Sequence, residues 1–336
     1  MLSRRHLLVG AGTALAAPGT LVAQPRASLP RIGLLIHGRP PTPEEVAASV
    51  VRKALHDLGW VSGPTAILDA VYSEGDAARL AARADELVQR RPDVIWCGGP
   101  PPAVAAARAT TTIPIVFWGV NYPVEMGLVA SLARPGGNVT GVAYAVGPGI
   151  LGKQFEALKA IAPRTVRVAR ILGGASLVDV RGAMLRQPYA TADDALRTLG
   201  MTEERFSLEG GQAVDDVFAA VRAWRPDAIS VFGDPATGMH RPRIIAFADQ
   251  HRLPSVFGTK EFVHAGGLLS YGPDTNDTIR RSIGYVDRIL RGAKPADLPV
   301  EQPREFDLLI NARTARALGL SIPASLRALG AQVIHE

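Results

Sequence analysis

The chain has 336 residues, 47% of them hydrophobic, 20% charged and only 6% aromatic, with a net charge of +6. Soluble globular proteins have this make-up, and at about 150 residues per domain the length favours two domains, each able to bury its own core. The basic residues are scattered and never interleave with aromatics, which argues against a nucleic-acid partner. The single cysteine, Cys97, excludes an intrachain disulfide and a cysteine-based zinc site.

At the N-terminus, Arg4-Arg5 precedes a short apolar run over 9–17. A twin arginine before a modest apolar segment resembles a bacterial Tat export signal. The run is too short to span a bilayer, which takes about 20 residues. The expectation is a signal peptide over 1–23, cut after Ala23 or after Ala16, and a mature chain in the periplasm that does not itself span the membrane.

Beyond the signal, the first half alternates apolar strand runs with amphipathic segments. Strands are expected at 32–36, 66–72, 94–97, 115–118 and 139–143, and helices of 3.6-residue period at 43–58 and 77–90. The second half repeats the pattern, with strands at 166–172, 204–208, 228–232, 255–257 and 268–271 and a helix at 216–224. Three local patterns recur in the same order. Leu58-Gly59 returns as Leu199-Gly200, a helix ended by a glycine free to turn left-handed. Arg91-Pro92-Asp93 returns as Arg225-Pro226-Asp227, between a helix and an apolar strand. Ile113-Pro114 returns as Leu253-Pro254, a proline opening a strand where its missing N–H is tolerated. Continuous apolar strands between helices indicate parallel sheets covered on both faces. The chain therefore reads as two similar α/β lobes, with Gly147-Pro148-Gly149 marking the first passage between them.

Ligands of open parallel sheets lie beyond the carboxyl ends of the strands. Those ends carry His37, Gly98-Gly99-Pro100, Asn121-Tyr122-Pro123, Gly173-Gly174 and Gly233-Asp234-Pro235. Two such edges facing one another form a cleft, and the aromatic turn Asn121-Tyr122-Pro123 stands in its wall. The amides at Gly99 and at the start of the next helix are candidates for an anionic ligand group, although the prolines that follow remove donors. Asp234 either holds a ligand ammonium or caps the next helix. Lys260-Glu261 is either a pocket pair or a solvated face. Tyr122, Tyr144 and Tyr271 are candidates to stack on a ring-bearing ligand, Trp96 and Trp118 read as buried scaffold, and His37 as a polar rim residue rather than a base. The seven histidines show no metal-binding spacing, and the chain has no His-Glu-x-x-His, Gly-x-Ser-x-Gly or Walker loop.

Several longer runs resemble the ABC transporter substrate-binding family that includes tryptophan- and tyrosine-binding members. They are TTTIPIVF at 110–117, GLVASLARPGGNVTG at 127–141, EFVHAGGLLSYGP at 261–273, GAKPADLPVEQP at 292–303, and the tail through 309–323. The resemblance implies a type I periplasmic-binding-protein fold, two Rossmann-like lobes with parallel sheets joined by three hinge crossovers. It implies a first lobe of 31–143 plus 274–295, with the helix at 275–290 returning to it, and a second lobe of 144–273 plus 296–336. It also implies no enzymatic activity and no cofactor, a small organic ligand of aromatic-acid or amino-acid type held between the lobes, and an ABC permease as partner. The other reading is a ligand sensor of the same fold that passes occupancy to a signalling partner; neighbouring permease and ATPase genes would favour transport. Three cleft turns depart from the family pattern: Gly99-Pro100 stands where many members have glycine then threonine, Asn121-Tyr122-Pro123 where many have Gly-Asp-Pro, and Gly173-Gly174-Ala175 where Asn-Pro is common. These changes remove polar anchors and add apolar wall, which favours a bulkier or less polar ligand.

Overall fold

The structure is a computed structural model that describes residues 28–144, 149–173, 179–181, 190–208 and 214–335. The expected signal peptide and Gly174 lie outside the described residues.

The first sheet is built from β1 (Arg31–Ile36), β2 (Ile67–Tyr72), β3 (Val94–Gly98), β4 (Ile115–Val120) and β5 (Val139–Ala143), in the order β2-β1-β3-β4-β5. All its pairings are parallel. Between the strands run α1 (Pro43–Ala47), α2 (Val50–Asp57), α3 (Ala77–Gln89) and α4 (Pro100–Ala109). The expected helix over 43–58 is thus two helices. Ser49 takes an extended conformation and its hydroxyl accepts from the Arg52 amide, so a serine that caps a new helix interrupts the old one.

The second sheet holds β6 (Arg167–Leu172), β7 (Thr202–Ser207), β8 (Ala228–Val231), β9 (Ser255–Phe257), β10 (Leu269–Pro273), β11 (Phe306–Asn311) and β12 (Gln332–Ile334), in the order β12-β11-β10-β9-β8-β6-β7. Only the β10–β11 pairing is antiparallel. Its helices are α5 (Gly149–Ile161), α6 (Ala190–Thr198), α7 (Val214–Trp224), α8 (Pro235–Met239), α9 (Arg241–Gln250) and α10 (Lys260–His264). The next helix, α11 (Thr275–Leu290), leaves this sheet, and Ile283, Tyr285, Val286 and Ile289 pack on Ile32, Val94, Trp96 and Val116 of the first. The tail then adds α12 (Ala312–Ala317) and α13 (Ala324–Ala328) beside β11 and β12.

The repeated sequence patterns have the same role in each half. Asp93 accepts from the amide of Arg31 and Asp227 from those of Val166 and Arg167, so each aspartate fastens the start of the neighbouring strand. Arg91 and Arg225, which precede the prolines, both adopt positive φ, 52° and 54°. Gly59 and Gly200 end their helices at φ 89° and 62°, a conformation that costs glycine nothing.

One boundary differs from expectation. Val300 is buried in the first lobe's core, and Glu301 exchanges backbone hydrogen bonds with Gly141 and Ala143 of β5. The chain therefore runs along the first sheet as far as 301 rather than leaving it at 296. Tyr285 and Arg281 of α11 hold the Glu301 carboxylate there.

Candidate ligand-binding cleft

The carboxyl ends of the two sheets meet. Pro235 of α8 packs against Gly99, so close that a β-carbon on the glycine would stand 3.2 Å from the proline Cγ. Met239, at the other end of the same short helix, reaches over the bare Gly75. Val180 donates its amide to the Met126 carbonyl at 3.0 Å, and Arg108 donates to the carbonyls of Val180 at 2.7 Å and Asp179 at 3.0 Å. Deepest of all, the Tyr144 hydroxyl, just past β5, donates to the Gly258 carbonyl past β9. Its ring end lies over Gly233, Gly258 and Gly272, three residues without side chains at adjacent strand ends.

In the first wall, His37 is buried and its Nδ1 lies 2.7 Å from the Ser73 hydroxyl. Burial lowers its pKa from the usual 6.5, against the opposing pull of Asp76. The folded state therefore favours the neutral ring. The stability this gives is present above pH 6.5 and drains away as pH falls from 6.5 towards the lower folded-state value, where the unfolded chain takes up a proton that the folded one resists. Urea titrations between pH 7.5 and 5 are expected to show this decline, and a His37→Gln variant to flatten it.

The turn after β4 carries the aromatic residue. Tyr122 has φ 55°, rare for a non-glycine residue, and the turn is braced by amides of Met126 on the Tyr122 carbonyl and of Leu128 on that of Pro123. The Tyr122 ring is partly buried, which raises its hydroxyl pKa, with the Arg170 charge pulling the other way. Pro123 is buried, as is Asn121, whose Oδ1 finds no hydrogen-bond partner. Gly99 caps α4 at φ 90°.

The anionic role expected at Gly99 and Pro100 is not available. The Gly99 amide donates to the Trp118 carbonyl at 3.0 Å, and Pro100, Pro101 and Pro102 have no N–H. Asp234 takes the capping alternative: its Oδ1 accepts from the Thr237 amide at 2.9 Å and its Oδ2 from that of Gly173 at 2.7 Å, and the side chain is buried. Lys260 does not pair with Glu261 but with Asp274 at 2.8 Å and Asp307 at 3.2 Å, because its longer reach spans to the strands behind α10. Tyr144 is fully committed to Gly258 and offers no ring face. Tyr271 stacks on Phe306 at 5.8 Å, across the β10–β11 pair, and packs with the core beneath α5. Glu261 is partly exposed.

Sequence reasoning placed Trp96 and Trp118 together as scaffold, and the structure separates them. The rings stack at 6.2 Å, but the Trp96 indole donates to the Ser282 hydroxyl while the buried Trp118 indole N–H has no partner, facing the bare Gly98. Alternation along a strand reports a face of the sheet and nothing about the partner of a single nitrogen. Among the described residues no three His, Cys, Asp or Glu side chains gather as a metal site, and no helix is long and apolar enough to cross a membrane.

The model of a family described as ABC transporter substrate binding protein matches residues 44–334. A tyrosine-binding protein of Clostridioides difficile (strain R20291) is 26% identical over 274 residues, 80% of this chain and 75% of that protein. The crystal structure of an ABC domain in complex with L-Trp from Streptococcus pneumonia superposes with a TM-score of 0.78 at 25% identity, covering 91% of this chain and all (100%) of the other. A conserved domain protein from Vibrio cholerae gives a TM-score of 0.77 at 25% identity, over 91% of this chain and 99% of its own.

Proposed function

The chain belongs to the ABC transporter substrate-binding protein family, and from that premise we propose that it is the exported receptor of an ABC import system, which captures a small ring-bearing organic molecule between its lobes and presents it to a membrane permease. The first lobe comprises residues 31–144, the last of which still donates its amide to the Val120 carbonyl of β4, and 274–301, and the second lobe the remainder. Export by the Tat route and residence in the periplasm are part of this reading, supported by Arg4-Arg5 and the short apolar run behind them.

The observation that carries the reading is the meeting of the two carboxyl edges through Gly99 with Pro235, Gly75 with Met239, and Tyr144 with Gly258. Hinge closure brings such edges together, and a ligand between them raises the closed population through its greater affinity for that state. The aromatic ligands named for two relatives, tyrosine and L-Trp, favour a ring-bearing guest. So does the aromatic turn at Tyr122. No bond is made or broken in this account.

A thermal-shift screen of aromatic acids, amino acids and small amides against the purified chain tests it: at least one compound should raise the melting temperature. Tyr122→Ala should weaken that compound roughly ten-fold, the loss of about 1–1.5 kcal/mol of ring contact, while the melting temperature of the empty protein barely moves. Equal affinity in the variant would remove Tyr122 from the site.

A further inference from the structure

We propose that residues 179 and 180 form a strap by which the second lobe fastens itself to the first, that Arg108 is the side chain securing it, and that the strap steadies the turn carrying Tyr122. The inference rests on the reading of the cleft as a ligand site and adds how the closed state is held.

By its place in the chain the strap belongs to the second lobe, between β6 and α6, yet Val180 packs against the core of the first. Its Cγ2 lies over Gly127, where a β-carbon would stand only 2.9 Å away. Gly127 has φ 72°, so glycine serves both the turn and the fit. The Val180 amide donates to the Met126 carbonyl at 3.0 Å. From the last turn of α4, Arg108 donates Nε to the Val180 carbonyl at 2.7 Å and Nη2 to the Asp179 carbonyl at 3.0 Å. A planar fork that grips two successive carbonyls recognises a backbone path, which a single point charge does not. Pro235 over Gly99 and Met239 over Gly75 are contacts of shape. The strap adds three directed hydrogen bonds between the lobes.

The strap also reaches the turn after β4. Its amide ends on Met126, and the Met126 amide donates in turn to the Tyr122 carbonyl at 2.9 Å. One buried residue, Met126, thus joins the strap to the aromatic turn. A guest that holds Tyr122 steadies the surface on which the strap docks, and a docked strap steadies the turn that meets the guest. Each favours the closed state through the other. Arg108 is accordingly a positioning residue and has no need to touch the guest.

Pulsed electron spin resonance distances on the full chain, with no compound added, test this. Nitroxides are placed on Lys53→Cys of α2 and Ala246→Cys of α9, both exposed and one in each lobe. Cys97 stays unlabelled, because it is buried and burial pushes its thiol pKa up. The otherwise unaltered chain is expected to show a short-distance, closed population. Arg108→Ala should lower the ratio of closed to open about five- to ten-fold, the net worth of one hydrogen bond, while the melting temperature barely moves because neither lobe's core is altered. Arg108→Lys, which keeps the charge and loses the fork, should fall between the two. Val180→Ser, which removes the apolar contact from the other side, should shift the ratio in the same direction as Arg108→Ala. A labelled chain without a closed population overturns the proposal, as does an Arg108→Ala chain with the parent distribution. Should Arg108→Ala fail to fold, Val180→Ser decides by the same criterion. None of these outcomes bears on ligand capture, which stands or falls on the thermal-shift screen.

Discussion

Replacing Gly272 by alanine is expected to destabilise the protein by about 3 kcal/mol or more, beyond the usual cost of overpacking a core. A methyl group there would fall on the Gly258 carbonyl oxygen of the neighbouring strand end and 2.8 Å from the Tyr144 hydroxyl that bonds to it. Neither neighbour can yield. The carbonyl is backbone, fixed between β9 and β10, and Tyr144 is buried on all sides. On its other edge Gly272 is held in register with Asp307 of β11, so β10 cannot move away. Alanine at 272 therefore strikes the sheet and the tie between the lobes together. Denaturant unfolding with an unchanged m-value reads the loss. A variant as stable as the parent would mean that the strand ends do not approach so closely and that Tyr144 does not dock on bare backbone.

The second large effect concerns charge. Arg170 is the bulkiest fully buried side chain of the described core, in the middle of β6, and faces Glu203 of β7 at 3.4 Å, with only 1% and 4% of the two side chains exposed. Glu203 also accepts from Arg205 at 2.6 Å, and the Arg170 guanidinium lies over the Phe232 ring. Breaking a buried ion pair from one side leaves the other charge stranded, which typically costs 3–5 kcal/mol. Arg170→Ala is expected to lose about that much stability. The double variant Arg170→Met, Glu203→Leu removes both charges and keeps the volume. It should recover most of the loss, because two apolar residues need no desolvation to be repaid. If the double variant is as unstable as the single one, the Arg170–Glu203 pair itself carries the stability, and neither the stranded charge nor the lost volume does.

Much of the fold can be read from the chain. Ten of the strands lie at or overlap the ranges expected from the sequence, nine of them apolar runs and β7 (Thr202–Ser207) a polar one, and the echoes of Arg-Pro-Asp and Leu-Gly correspond to equivalent turns in both halves because proline, positive φ and strand-start capping are local matters. The missed strands, β11 and β12, lie in the tail, where β11 shows only Leu308, Leu309 and Ile310 after an acid and pairs antiparallel, so no βαβ pattern announces it. The late return at 301 was also invisible, since Val300 enters the first core through tertiary contact alone.

The cleft was less legible, for a reason the individual residues make clear. Strand-end position said which residues were near the edge but not which partner each polar atom had found. Asp234, Lys260 and Tyr144 carry the right chemistry for a ligand, yet Gly173 and Thr237, Asp274 and Asp307, and Gly258 have claimed them. Trp118 looked like scaffold, yet it keeps an unclaimed N–H. Apart from the local Asp234–Thr237 cap, these pairings join positions 14 to 114 residues apart, and no local pattern records them.

The central claim is that the space between the lobes holds a guest and performs no reaction on it. Isothermal titration of the purified chain with the compound that most raises its melting temperature, followed by mass spectrometry of that compound after release, tests this most directly. One molecule bound per chain and recovered at its original mass is the predicted result. A changed mass that accumulates with time would contradict the account.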